Sequence, residues 1–359
     1  MRVLISGGGT GGHLFPAIAV AQALARIDPD GQVLYVGRRG GMEERIVPGL
    51  GIPLETIVPP KLDMEQLWRN WSVPFILPRA LAQAARIVGR FRPEVVLGTG
   101  GYVSAPVILA AAARRVPIVL QEQNALPGRT SRLLSRVATV VATAYPDSAR
   151  YLRAKAVVTG TPVRRDFSQR RSDFPARPGA LLVLGGSQGA RRINQAVLAA
   201  LPELVNRAGL EVWHQTGERD FVLVREAGAN LASAVAARYH PFAFASDLAS
   251  RLYQSDLVLA RAGAGTLSEV SAVGVPMVLV PGPFAGGHQK LNAVPYAEAG
   301  AAVVIPDGAC DGPRLAQILT GIAEDPDRYA RMVDAMRTLG RPAAADAVAA
   351  ILLEVIQKT

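Results

Sequence analysis

The stretch Arg2-Val3-Leu4-Ile5-Ser6-Gly7-Gly8-Gly9-Thr10-Gly11-Gly12-His13-Leu14-Phe15-Pro16 decides the fold. Residues 3–6 are a short apolar run without polar alternation, which predicts a strand covered on both faces. A glycine turn follows, and then a helical pattern with Pro16 in its first turn. Glycines let backbone N–H groups approach a ligand closely, and a helix N-terminus favours negative charge. Strand, glycine turn and helix in this order form the opening unit of a doubly wound sheet with an anion site at its rim.

Outward from this unit the pattern repeats. Strand-like runs fall at 33–36, 95–97, 118–120, 139–141 and 157–159, with Ala/Leu/Arg-rich helical segments such as 17–26 and 80–90 between them. It then begins again with 181–184, 212–214, 257–260, 277–280 and 303–305. The expected class is α/β: two Rossmann-like, doubly wound parallel-sheet domains facing each other across a cleft. The boundary falls in 159–178, which holds Pro162, Pro175, Pro178 and a cluster of arginines. Residues 311–359 read as helix, interrupted by Gly340-Arg341-Pro342, so the last helix is expected to pack elsewhere, on the first domain. That gives 1–163 with 341–359 as the first domain and 164–340 as the second.

The chain has 359 residues, which suits about two domains. Half are hydrophobic and 19% charged, which excludes a disordered or fibrous chain. Lys and Arg number 39 against 29 Asp and Glu, so the net charge of +10 points to an anionic partner. Cys310 is the single cysteine, which excludes an internal disulfide and a Cys-ligated zinc site. The most apolar stretch, 106–120, is cut by Arg114 and Arg115 and is too short to span a bilayer. The N-terminus reaches its glycine loop before a signal-peptide apolar region forms, so the expected location is cytoplasmic, or at a membrane from its cytoplasmic side.

Further glycine loops stand at strand ends. Gly98-Thr99-Gly100-Gly101-Tyr102-Val103-Ser104-Ala105-Pro106 reads either as a ligand loop or as close helix–strand packing. Gly185-Gly186-Ser187-Gln188-Gly189-Ala190 opens the second half, with the Ser187 hydroxyl and Arg191-Arg192 suited to phosphate. Arg261-Ala262-Gly263-Ala264-Gly265-Thr266-Leu267-Ser268-Glu269 opens a helix whose N–H groups suit a sugar or phosphate. Glu269, one turn in, can accept from the two vicinal hydroxyls of a ribose, or merely complement the helix dipole. His288-Gln289 stands after another strand's carboxyl end. Gly7, Gly9 and Gly12 also satisfy G-x-G-x-x-G, but residues 37–39 are Gly-Arg-Arg where a dinucleotide site wants an acid. Those arginines suit a 2′-phosphate, so an NADP oxidoreductase is the alternative from another class. A nucleic-acid binder is not expected, because no basic run is interleaved with aromatics. Asp28-Pro29-Asp30 and Asp325-Pro326-Asp327 match a metal-binding Asp-x-Asp string but read as proline turns, so no required metal and no cofactor is expected.

Taken together, the N-terminal glycine motif, the Gly98 loop, Glu122-Gln123-Asn124, the Gly185 loop and residues 263–269 resemble the MurG family of peptidoglycan N-acetylglucosaminyltransferases, of glycosyltransferase family 28. The resemblance spans nearly the whole chain. It implies a GT-B fold and an inverting transfer of N-acetylglucosamine from UDP-GlcNAc to the muramyl 4-hydroxyl of undecaprenyl-diphosphoryl-MurNAc-pentapeptide (lipid I), giving lipid II and UDP. Other GT-B enzymes, a glycolipid glycosyltransferase or a UDP-GlcNAc epimerase, are the near alternatives. The roles it implies are Thr10, Gly11 and Gly12 in the substrate-facing loop and Asn124 on the transferred sugar. Arg164 and Ser187 would hold the diphosphate, and the backbone at Ala245 the uracil. Ala264, Gly265, Thr266, Leu267 and Ser268 would cap sugar and phosphate, with Glu269 on the ribose and Gln289 on sugar hydroxyls. His13 would be the base, with Glu122 as the other group able to take the proton. Thr161 stands where the family often has Asn, and His288-Gln289 where some members have Gln-Gln, which bears on local sugar contacts.

A lipid-linked acceptor needs an apolar patch beside an anionic membrane surface. Residues 62–92 hold Trp68, Trp71, Phe75, Ile76 and Leu77 among Arg69, Arg79, Arg86 and Arg90. Pro74 and Pro78 are expected to break the helix and leave Trp68, Trp71, Phe75 and Ile76 as membrane contacts in a loop. The expected location is peripheral, on the cytoplasmic face of the bacterial cell membrane.

Overall fold

The computed structural model describes residues 1–60, 73–186, 189–245, 247–283 and 287–358. The chain divides into two compact units, Met1–Arg165 with Ala343–Thr359, and Asp166–Pro342. Arg164 and Arg165 therefore belong to the first unit, two residues past the boundary expected from the sequence.

In the first unit the strands are β1 (Arg2–Ser6), β2 (Gln32–Arg38), β3 (Leu54–Ile57), β4 (Val95–Gly98), β5 (Ile118–Glu122), β6 (Val140–Thr143) and β7 (Lys155–Val158). They run parallel in the order β3-β2-β1-β4-β5-β6-β7. Its helices are α1 (Gly11–Ile27), α2 (Glu43–Ile46), α3 (Val73–Phe91), α4 (Ser104–Ala113) and α5 (Arg129–Leu134). Successive side chains of β1 serve opposite faces. Val3 and Ile5 join a core with Leu14, Ala17 and Ile18 of α1. Leu4 joins another with Ala84 and Ile87 of α3 and Val107 and Ile108 of α4. Covering both faces is why β1 carries no polar alternation.

The second unit holds β8 (Ala180–Leu184), β9 (Glu211–Gln215), β10 (Tyr239–Phe242), β11 (Leu257–Ala260), β12 (Met277–Leu279) and β13 (Ala302–Val304), parallel in the order β10-β9-β8-β11-β12-β13. Its helices are α6 (Arg191–Asn206), α7 (Phe221–Ala229), α8 (Ser233–Ala236), α9 (Leu248–Tyr253), α10 (Ala264–Val273), α11 (His288–Glu298), α12 (Gly312–Ala323) and α13 (Pro326–Leu339). In each sheet the strand order reverses beside the first strand, between β1 and β4 and between β8 and β11. Open α/β sheets bind ligands at the carboxyl ends of such a pair.

The last helix, α14 (Ala344–Gln357), packs in the first unit. Val348, Ala349, Leu352 and Val355 share a core with Leu14, Ala17 and Val20. Both Asp-Pro-Asp strings have structural tasks. Asp28 accepts from the terminal amine of Met1 at 2.9 Å, and Asp325 caps α13 through Arg328 N at 2.9 Å.

Two sequence readings need correction. The strands β3 and β10 have no counterpart in the sequence reading; both are edge strands, where polar residues and Pro241 are tolerated. The prolines at 74 and 78 do not break the helix, since α3 runs from Val73 with Pro78 inside it. Pro74 lies in the first turn, where N–H groups have no partner, and Pro78 removes a bond only at the start of the ladder. The apolar face of Ala80, Ala84, Ile87 and Val88 then carries α3. Trp68 and Trp71 lie outside the described residues.

Leu352 is fully buried on α14. Leu352→Ala should lower the stability of the first unit by about 2–5 kcal/mol, measured by urea unfolding.

Candidate functional site

The rim of the first unit is built by two glycine loops that pack on each other. The loop after β1 ends at Thr10, whose carbonyl accepts from His13 N and Leu14 N at 3.2 and 3.1 Å to start α1. The loop after β4 lies against it. Gly100 and Gly101 have φ of +97° and +79°, which favour glycine. A Cβ at Gly101 would overlap the Gly8 carbonyl, and one at Gly100 would lie 2.7 Å from His13 Nδ1. Of the two readings open for this loop, the geometry supports close packing, with the first loop and His13 as the neighbours.

His13 is held from two sides. Thr99 Oγ1 donates to the His13 carbonyl at 2.7 Å, and His13 Nδ1 lies 2.9 Å from the Thr99 carbonyl. A carbonyl only accepts, so Nδ1 carries the ring proton and Nε2 keeps its lone pair. Gln123 Nε2 lies 2.8 Å from the same nitrogen; with the amide turned over, its oxygen would accept from this tautomer. Desolvation lowers the His13 pKa below its usual value, against the Thr99 bond and the Glu122 charge. The ring is thus a neutral imidazole at pH 7.

Glu122, at the end of β5, is buried and committed. Its Oε1 accepts from Asn124 N and Asn124 Nδ2 at 2.9 and 3.0 Å, and its Oε2 accepts from Gly128 N at 3.1 Å. Both oxygens hold the loop that carries Asn124, so the geometry favours an orienting role for Glu122 over that of a base. Arg164 stacks over Phe15 of α1, with 5.4 Å from guanidinium carbon to ring centroid.

In the second unit, the loop after β8 carries positive φ at Gly186 and Gly189, and α6 starts at Arg191. Ser187 lies outside the described residues. The segment after β11 forms α10, with Gly263 as its N-cap and Glu269 in its second turn, half-buried. Gly263 and Gly265 have open space where a side chain would stand, which leaves this helix start uncovered within the unit. Ala264 and Leu267 are buried, Thr266 is half-buried, and Ser268 donates to the Ala264 carbonyl at 2.7 Å. Ala245 is buried in the loop after β10. Gln289 opens α11, and its Oε1 accepts from Gly282 N at 2.8 Å, so it closes its own loop. Arg261 braces the rim by donating to the Val280 carbonyl at 3.0 Å and to Asp307 at 2.5 Å. The structure thus brings together Thr10, Gly11, Gly12 and His13 in one unit, and residues 264–269 in the other.

Residues 3–143 match the model of the glycosyltransferase family 28 N-terminal domain, and residues 180–348 match its C-terminal domain. The chain belongs to glycosyltransferase family 28. Among curated relatives of this family 28 chain is the UDP-N-acetylglucosamine--N-acetylmuramyl-(pentapeptide) pyrophosphoryl-undecaprenol N-acetylglucosamine transferase of Moorella thermoacetica, 42% identical, covering 99% of this chain and 100% of that protein. The enzyme of the same name from Coxiella burnetii is 39% identical, covering 97% of each. The crystal structure of Acinetobacter baumannii MurG matches with a TM-score of 0.80 at 30% identity, over 98% of this chain and 99% of that one. UDP-GlcNAc 2-epimerase from Neisseria meningitidis, bound to UDP-GlcNAc, matches with a TM-score of 0.71 over 100% of each chain, but at 16% identity it shares the fold alone.

The sequence reading missed Glu43 and Tyr35, and it gave no role to Thr99 and Gln123, which stand inside its motifs. Tyr35 donates to the Gly7 carbonyl at 2.9 Å, and Glu43 accepts from Gly9 N at 2.6 Å. Gly37, Gly40 and Gly41 around Glu43 were a usable signal, since two of them clear space for its side chain.

His214 and His240 are structural. His240 pairs with Glu211 at 2.8 Å and stacks on Trp213. His214 is fully buried, between Tyr239 OH at 2.8 Å and Asn194 Oδ1 at 3.0 Å. Desolvation lowers its pKa to about 3. The unfolded chain binds this proton near pH 6.5 and the folded chain does not, so stability falls as pH drops below about 6.5. Below about pH 5.5 the loss from this group should approach about 1.4 kcal/mol per unit. Urea unfolding against pH measures it, and His214→Gln should flatten the slope.

Proposed function

We propose that this chain is an inverting glycosyltransferase that moves N-acetylglucosamine from UDP-GlcNAc to the muramyl 4-hydroxyl of undecaprenyl-diphosphoryl-MurNAc-pentapeptide, giving lipid II and UDP. The observation that carries the reading is the 42% identity, over 99% of this chain, to a transferase of that name. The acceptor oxygen attacks the anomeric carbon from the face opposite UDP. The bond from that carbon to the diphosphate breaks, and its electrons leave with UDP. His13 Nε2 takes the 4-hydroxyl proton, a task that suits a neutral imidazole whose tautomer is held by Thr99. Thr10, Gly11 and Gly12 present this face of the first unit, and Asn124, set by Glu122, contacts the transferred sugar.

Charge grows on the departing diphosphate. The N-termini of α6 and α10, with Arg164 and Ser187, supply donors for it. Residues 264–268 cap sugar and phosphate, the backbone at Ala245 meets the uracil, and Glu269 accepts from the ribose hydroxyls. Gln289 reaches the sugar hydroxyls with the part of its amide not used on Gly282. The test is UDP release from UDP-GlcNAc with and without a lipid I analogue. Release should require the acceptor; conversion of UDP-GlcNAc to an epimer without acceptor would instead favour an epimerase. Charged-acceptor bonds contribute about 1.5–3 kcal/mol, so Glu269→Ala should raise the KM for UDP-GlcNAc at least tenfold. Unchanged UDP affinity in that variant would overturn the ribose assignment.

Among the described residues no helix is long and apolar enough to cross a membrane. We read it as a peripheral protein on the cytoplasmic face, docked through Phe75, Ile76 and Leu77 at the head of α3. Phe75 is 77% exposed and Leu77 36%, with Ile76 half-buried and Arg79 exposed beside them. Aromatic and aliphatic side chains suit the headgroup boundary, and each basic residue near anionic lipid adds about 1 kcal/mol. Phe75→Glu with Leu77→Glu should cut sedimentation with anionic liposomes at least tenfold while leaving turnover of a short-chain soluble acceptor nearly intact. Unchanged liposome binding by the folded variant would place the docking surface elsewhere.

A further inference from the structure

Glu43 is a charged side chain with no exposure at all, at the head of α2. Its Oε1 accepts from Gly9 N at 2.6 Å. Its Oε2 is buried with no hydrogen-bond partner among the described residues. Burying a carboxylate with one oxygen unpaired is costly, and an apolar group of similar size is often as stable or more so.

The backbone is nonetheless shaped around this carboxylate. A Cβ at Gly8 would overlap Oε1, one at Gly41 would overlap Oε2, and one at Gly37 would lie 2.9 Å from the Glu43 Cβ. Gly8 and Gly9 also take φ of +145° and +84°, a turn that has to be held in place. On its other side Tyr35 donates to the Gly7 carbonyl at 2.9 Å. Glu43 and Tyr35 thus grip the turn from the β2 side, and Thr99 grips His13 from the β4 side.

We propose that Glu43 is a positioning residue for the transfer: by holding the Gly9 N–H it fixes the Gly8-Gly9 turn, and through it the start of α1 that presents His13. This rests on the function proposed above for His13. Glu43 touches neither substrate. It acts on the acceptor side of the reaction, and UDP binding in the second unit does not depend on it.

Three variants test it: Glu43→Ala, Glu43→Gln, which keeps an acceptor for Gly9, and Gly41→Ala, which leaves Glu43 in place but displaces its carboxylate. The readouts are kcat, the Kd for UDP, Gly9 amide exchange and the His13 ring titration. Glu43→Ala and Gly41→Ala should lower kcat at least tenfold, leave the UDP Kd within twofold, speed Gly9 exchange at least tenfold and shift the His13 titration. Glu43→Gln should keep kcat within threefold of the parent and keep Gly9 protected. Parent-like kcat in folded Glu43→Ala overturns the proposal, as does a Glu43→Gln variant impaired as strongly as Glu43→Ala. Where Glu43→Ala fails to fold, Gly41→Ala and Glu43→Gln decide by the same criteria. Absence of transfer by the parent protein would defeat the proposed function instead, and Gly9 exchange and the His13 titration would still decide whether Glu43 sets this turn.

Discussion

The reciprocal hydrogen bonds between His13 and Thr99 join the start of α1 to the loop after β4, and the rest of the first unit's rim depends on them. One runs from Thr99 Oγ1 to the His13 carbonyl at 2.7 Å, the other between His13 Nδ1 and the Thr99 carbonyl at 2.9 Å. They lock two glycine turns whose backbones approach too closely for any side chain at Gly100 or Gly101. They also select the ring tautomer, leaving Nε2 as the basic nitrogen. One contact therefore sets both the shape of the rim and the chemistry available there.

The second unit reaches a comparable rim by other means. Its rim is braced by Arg261, which spans the β12 carbonyl end and Asp307. Behind it Asn194 of α6 bonds His214, the Thr216 carbonyl at 3.0 Å and Asp220 at 3.1 Å. Buried polar groups satisfied this fully fix one arrangement of the loops they touch. The start of α10 stays open, with free space where side chains at Gly263 and Gly265 would stand and Glu269 in the second turn. A braced rim around an open helix N-terminus suits an anionic ligand.

The basic charge is distributed unevenly in its chemical meaning. Arg171, Arg207 and Arg251 are paired with Asp256, Glu324 and Asp247 and belong to the fold. Arg164 over Phe15 and the exposed Arg191 at the head of α6 lie beside the glycine loops. The net charge alone did not separate these groups, because pairing is a property of the folded surface.

The sequence by itself determined the α/β class, the strand–glycine–helix order of both units, the interruption at Gly340-Arg341-Pro342 and the combination of motifs that places the chain in its family. These are legible because the apolar runs of doubly covered strands and the glycines of tight turns are local signals. The edge strands β3 and β10 were not legible, since half-exposed strands tolerate the polar residues and the proline that erase the pattern. The helix through Pro78 was decided by the face that α3 buries, which outweighs one lost bond. Glu122 reads from the sequence as an alternative base, and only the fold shows its two oxygens accepting from Asn124 and Gly128. Glu43 and Tyr35 carry no motif of their own, and Thr99 stands inside the Gly98 motif with no role that the sequence assigns. They meet the first glycine loop from strands and turns distant in sequence, and only the packing of β2 and β4 on either side of β1 brings them to it.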